Sequence, residues 1–145
     1  YAITENTAAE IIYNRADSQK VNMGLTNWNK SPDGKILKSD VCIAKNYLDE
    51  KEIKSLNNLV NLFLDIAENN AERNLSMSMK DWQNEVETSL KLFHYEVLEG
   101  KGKISAEKAK QKAESEYEKY KIIQDKKFVS DFDKLIIETE KIDNK

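Results

Sequence analysis

The sequence has one cysteine, Cys42, so it makes no disulfide within the chain and offers no cysteine cluster for zinc. That usage suits a reducing compartment, and the chain is expected in the cytoplasm. It has one histidine, His94, with no Glu-x-x-His pair around it, because Lys91 stands three residues before. No run of apolar residues approaches the ~20 that a membrane helix needs, so no membrane partner is expected. G-x-S-x-G, G-x-x-x-x-G-K-[ST], G-x-G-x-x-G and H-E-x-x-H are all missing, and no catalytic residue, metal or cofactor is assigned. Proline occurs once and glycine four times, gathered at Gly24, Pro32–Gly34 and Gly100–Gly102. The long stretches between them are rich in Lys, Glu, Leu and Ala, which favours an all-α class. A net charge of −3 argues against holding nucleic acid by bulk charge, though it leaves room for a local patch. The chain opens on Tyr1 without a signal peptide or an initiator Met, and is expected to be the C-terminal part of a longer protein.

The length favours one domain, residues 1–145, able to bury roughly 70% of the surface its unfolded form exposes. The expected fold is a bundle of about five to six helices with one long ordered loop, residues 17–38, and residues 106–140 as an extended helical tail. Asp49 to Asn74 reads as the central helix. Asp49 and Glu52 form its capping box, and Ile53, Leu56, Leu59, Val60, Phe63, Ile66, Ala67 and Ala71 recur at helical spacing. Leu62 and Leu64 widen that belt, so its middle is expected to be covered on more than one side, with Phe63→Ala costing about 3–5 kcal/mol.

Thr7 to Glu10 is a capping box for a first helix that turns Ala8, Ile11, Ile12 and Tyr13 inward. Within residues 17–38, Met23, Leu25 and Trp28 argue for order, and Ser31-Pro32-Asp33-Gly34 for a turn. Ile36-Leu37 reads as an extended piece without a strand partner. Ser39 is expected to cap a short helix, Asp40 to Tyr47, and Ser78 a helix reaching Glu99, with Gly100 ending it in the left-handed conformation. Ser105 caps a last long helix. Its stripe Ala106, Ala109, Ala113, Tyr117, Tyr120 and Ile123 is close to a coiled-coil seam. The phase breaks at Gln124–Lys127, and Phe128, Phe132, Leu135 and Ile136 restart it, as a kink or a separate terminal helix. Two uses of residues 106–136 stay open: packing within the chain, or a seam for a second copy.

Three constellations carry functional readings. Arg15, Lys20, Lys30, Lys35, Lys38 and Lys45 outnumber Asp17, Asp33 and Asp40 around the loop. Lys20, Lys30, Lys35 and Lys38 are the candidate nucleic-acid contacts, with Trp28 for stacking, against a solvated loop whose Trp28 is core. Asp65, Glu68 and Glu72 share one side of the central helix, where pairing with Arg73, Lys91 or neighbouring basic residues is the plainer reading than a metal site. Cys42 reads as a small buried hydrophobe and His94 as a helix-boundary residue.

The blocks TAAEIIYNRAD, NMGLTNW, KSDVCIAKNYLDEKEIKSLNNLV, LFLDIAENNAER, MSMKDW and GKISAEKAKQKAESEYEKY occur in that order. Together they resemble the C-terminal half of bacterial RhuM-type virulence-associated proteins, from about Thr7 to Tyr120. The resemblance implies a role beside DNA in mobile elements and pathogenicity islands, with DNA binding ascribed to an N-terminal region that is expected to lie outside this sequence. It maps Asn22, Gly24, Leu25, Thr26, Trp28, Lys38, Asp40, Lys45, Asn46, Asp65, Glu68, Arg73 and Trp82 onto the family blocks. Of these, Asn22, Thr26, Trp28, Lys45, Asn46, Asp65, Glu68 and Arg73 are the candidate polar pocket or partner surface. The expected function is a non-enzymatic accessory domain for oligomerisation or partner binding. The alternatives are an enzyme with a pocket around Asn22, Lys45, Asp65 and Glu68, or direct nucleic-acid binding by the loop.

Overall fold

Helices start where short polar side chains can take up free backbone N–H groups. The computed structural model describes residues 1–128 and 131–143. Among them are five α-helices and no strand: α1 (Ala8–Arg15), α2 (Glu50–Glu72), α3 (Met79–Leu92), α4 (Ala106–Lys127) and α5 (Asp131–Asp143). Thr7, Asp49 and Ser78 form reciprocal capping boxes with Glu10, Glu52 and Asp81, and Ser105 accepts from the Lys108 N–H.

The core lies away from α2. Ile11, Ile12 and Ala16 pack with Ala109, Ala113 and Tyr117, so α1 lies along α4. The two alanines let the backbones approach, and the Lys112 ammonium donates to the Ala16 carbonyl at 2.6 Å, closing the C-terminal end of α1. The alanine–tyrosine stripe therefore serves packing within the chain; Ala106 and Ala8, expected inside, are exposed. Met23, Leu25, Trp28, Ile36, Val41, Tyr47 and Leu48 from the long loop and the turns after it complete the cluster.

Residues 17–38 are ordered by bonds as well as by burial. The Trp28 indole N–H donates to the Gly34 carbonyl at 2.8 Å. The extended piece at Ile36 finds a partner in a side chain. The Gln124 amide accepts from the Ile36 N–H at 2.8 Å and donates to its carbonyl at 3.0 Å, which is what a neighbouring strand would do. The Asp40 carboxylate, buried, accepts from the N–H groups of Asn29 and Leu37.

Three expectations are corrected. The helix Asp40–Tyr47 is two 3-10 turns, Asp40–Cys42 and Ala44–Tyr47, broken at Ile43, and Ser39 makes no cap. The Asn46 amide takes the Asp40 carbonyl and the Tyr47 hydroxyl takes the Val41 carbonyl, which an α-helix would give to backbone N–H groups. The helix expected to reach Glu99 ends at Leu92. His94 adopts φ +63°, its N–H donates to the Lys91 carbonyl, and the Tyr95 N–H donates to that of Leu90. That is a Schellman closure with histidine at the position expected of Gly100. Asn74 closes α2 in the same way.

The third correction concerns α2, which is not central. Leu59 is its one buried side chain, and Val60, Leu64, Ala67 and Ala71 are exposed. Its first turns touch the core through Ile53 and Leu56. Beyond them α2 is joined to α3 through residues 73–78, where the Asn70 amide donates to the Met77 sulfur; α2, α3 and this connection make up the arm. Leu62, Phe63, Ile66, Trp82, Val86 and Leu90 are half-buried. Residues 129–130, between α4 and α5, lie outside the described residues, and with them the expected start of the terminal helix near Val129.

Candidate functional site

The arm is held at the start of α2. The Arg15 guanidinium grips Glu52 with both nitrogens, at 2.6 and 2.7 Å, and also donates to the Tyr47 carbonyl at 2.9 Å. Glu52 is at the same time the third helical residue of α2 and reaches back to the Asp49 N–H. One carboxylate thus starts the helix and fixes its exit angle from α1. The planar fork suits this better than a lysine point charge. Arg15 holds Glu52 below the usual carboxylate range, and Glu52 holds Arg15 higher. Beside this anchor the Thr26 hydroxyl donates to the carbonyls of Leu48 and Asn46, fastening the loop to the approach of α2.

A second set of carboxylates clamps loop to helix. Glu10, buried in α1, accepts from the N–H groups of Thr7 and Lys103, which lower its pKa by stabilising the carboxylate. Glu116 accepts from the Ser18 N–H at 2.8 Å and from Lys119. The bonds from Ser18 lower its pKa to about 2. A depressed carboxylate contributes stability that is complete above its unfolded pKa of 4.5 and is lost as pH falls towards 2. Glu116→Gln is accordingly expected to be less stable near neutrality by about 1–3 kcal/mol. That deficit should vanish between about pH 4.5 and pH 2, read from urea midpoints of both proteins across the range. A deficit constant with pH would mean the carboxylate charge is not what holds the loop.

The candidate polar residues separate into different places. Thr26 and Lys45 line a shallow cleft with Leu48 and Ile53, and Asn46 lines another with Asn29 and Asp40. Asn22 belongs to a groove of about 480 Å³ between the loop and the C-terminal half of α4, with Lys20, Lys35, Tyr120 and Gln124. Asp65, Glu68 and Arg73 stand exposed on the outer part of α2. At ~1.5 Å rise per residue, Asp65 is about 18 Å beyond Ile53 and Arg73 about 30 Å. The pairing expected of Asp65, Glu68 and Glu72 with Arg73 or Lys91 does not form. Among the described residues no three His, Cys, Asp or Glu side chains come together as metal ligands.

The loop lysines are largely committed elsewhere. Lys35 pairs with Asp125 at 2.8 Å and lies over the Phe128 ring, and Lys38 lies near Glu114 and Glu118. Lys20 and Lys30 are exposed, whereas Trp28 is buried and has no free face for a base. Cys42 is half-buried, and burial raises its thiol pKa, which keeps the reactive thiolate scarce. Burial likewise keeps the Tyr47 phenol protonated.

The arm itself was hidden in the sequence by its own periodicity. Val60, Leu64, Leu75, Met79, Leu92 and Phe93 are exposed along it, Met79 to 82%. Monomeric proteins rarely leave so many large apolar side chains exposed on one stretch of chain. In the core the buried acids bind backbone N–H groups, and the arm carries exposed apolar side chains. The sequence model of the Virulence protein RhuM family matches residues 1–129, and the chain belongs to that family. No curated protein and no solved structure matches it.

Proposed function

We propose that this chain is a non-enzymatic interaction module of a virulence-associated protein, working through the α2–α3 arm. The observation that carries this is the exposed apolar surface of the arm, from Val60 and Leu64 to Met79, Leu92 and Phe93. The buried polar side chains support it: Glu10 and Asp40 spend their oxygens on backbone N–H groups, and Ser18 gives its own N–H to Glu116. They hold the loop and connections around the core and stand in separate clefts. In a longer protein such a module sets how a DNA-associated region is spaced or paired.

The reading is tested by placing a photo-reactive phenylalanine at positions 60, 64 and 79 of the protein in cells, with position 30 on the loop as the comparison. Protein adducts concentrated at the three arm positions are the expected result. Adducts at position 30 with none on the arm would reject it. The same result, joined to nucleic acid in place of protein, would return the loop lysines to the centre.

A further inference from the structure

Helix α2 carries two stripes, each at the three- and four-residue alternation of a coiled-coil seam. The first, Leu56, Leu59, Phe63, Ile66 and Asn70, is buried or half-buried throughout. The second, Asn57, Val60, Leu64, Ala67 and Ala71, is exposed at every position, Leu64 to 61%. The chain therefore fills one seam of α2 and leaves the other uncovered. Lys54, Asn61 and Glu68 flank the open seam at intervals of one heptad on a single side. Lys54 and Glu68 are exposed and make no ion pair among the described residues.

We infer that the open seam is covered by the same seam of a second copy of this chain, running antiparallel. The inference rests on the interaction reading above and names the partner of that surface. The flanking charges choose both direction and register. In an antiparallel pair, residues flanking the seam on the same side of each helix face one another. Setting Val60 against Leu64 of the second copy also brings Lys54 to its Glu68, and Glu68 to its Lys54. Asn61 then meets Asn61 on the two-fold axis, where two amides can exchange hydrogen bonds. Asn57 falls opposite Ala67, a polar residue in a seam of the kind that restricts register. The interface is self-complementary, as a two-fold dimer requires. A parallel pair instead sets Glu68 against Phe63, an apolar side chain that already belongs to the covered stripe. Sliding the antiparallel pair by one heptad separates Lys54 from Glu68.

The test is charge reversal in the 145-residue chain, read by sedimentation equilibrium at low salt. Lys54→Glu and Glu68→Lys should each weaken self-association roughly tenfold, since two attractive contacts become two repulsive ones. The two together should restore it to within about threefold, and the differences should shrink as salt rises. All these positions are exposed, so circular dichroism should be unchanged. In a Cys42→Ala background, a short bis-maleimide should link Asn61→Cys to itself. It should not link Asn57→Cys, whose two copies lie about 15 Å apart along the axis in this register. A wild-type chain that stays monomeric at the highest attainable concentration overturns the inference, as does a dimer indifferent to both reversals or one linked through Asn57→Cys. A monomer whose arm still cross-links to another protein in cells would leave the interaction reading standing and remove only the second copy as its partner.

Discussion

Trp28→Ala is expected to lose about 3–5 kcal/mol, much of the total stability of a domain this size. Trp28 is 7% exposed and lies in the cluster built from Met23, Leu25, Ile36 and Val41. Its removal opens a large cavity where these four loop and turn residues converge, and the Gly34 carbonyl loses its donor. Trp28→Phe separates the two effects. It keeps most of the packing and loses the indole N–H, for a cost of about 1–2 kcal/mol. Phe63→Ala provides the contrast. Phe63 is half-buried on the arm, away from the core, so its loss should cost about 1–2 kcal/mol instead of the 3–5 that a central helix implies. Urea midpoints of the three variants give the order Trp28→Ala, then the other two. If Phe63→Ala is the most damaging, the core has been placed on the wrong helix.

Gly24→Ala should cost about 3 kcal/mol and loosen the arm at the same time. Asn22, Met23 and Gly24 have φ of 52°, 57° and 84°, three consecutive residues in the left-handed region. Met23 holds that conformation because its side chain is completely buried. At Gly24 an added Cβ would stand 2.3 Å from the Arg15 carbonyl oxygen, a backbone atom that cannot swing aside. The left-handed cost is about 1–2 kcal/mol, and the overlap adds about as much again. Relief requires the end of α1 to shift, and Arg15 is the residue that grips Glu52. Hydrogen exchange should therefore speed up in the first turns of α2 as well as in the loop. Gly100→Ala is the control. Gly100 also has positive φ, +74°, but nothing lies within 4 Å of its added Cβ, so about 1 kcal/mol is expected. Equal costs at the two sites would mean the contact with Arg15 is not what demands glycine.

These variants mark where the sequence was legible. Capping chemistry is local, so Thr7, Asp49, Ser78 and Ser105 announced their helices within a few residues. The alanine–tyrosine stripe of α4 was equally plain, but not its partner, because α1 is nearly a hundred residues away. Glu10 and Glu52 read as capping residues and are so, whereas Asp81, the partner of Ser78, was not singled out. That Glu10 also holds Lys103, and Glu52 also holds Arg15, depends on elements that meet only in the fold. Gln124 stood at a break in the apolar phase, and nothing local marks it as the partner of Ile36.

The sequence by itself determined the all-α class, the ends at which most helices begin, the order in the long loop and the family. Each follows from spacing and chemistry over a few residues, or from whole blocks in order. The tertiary structure alone decided which helix is the core. A helix with apolar residues on two sides has the same pattern whether both sides are covered or one awaits a partner. Only the placement of α1 and α4 against each other, with α2 leaving from the Arg15–Glu52 anchor, shows that the strongest apolar helix of the chain stands outside it.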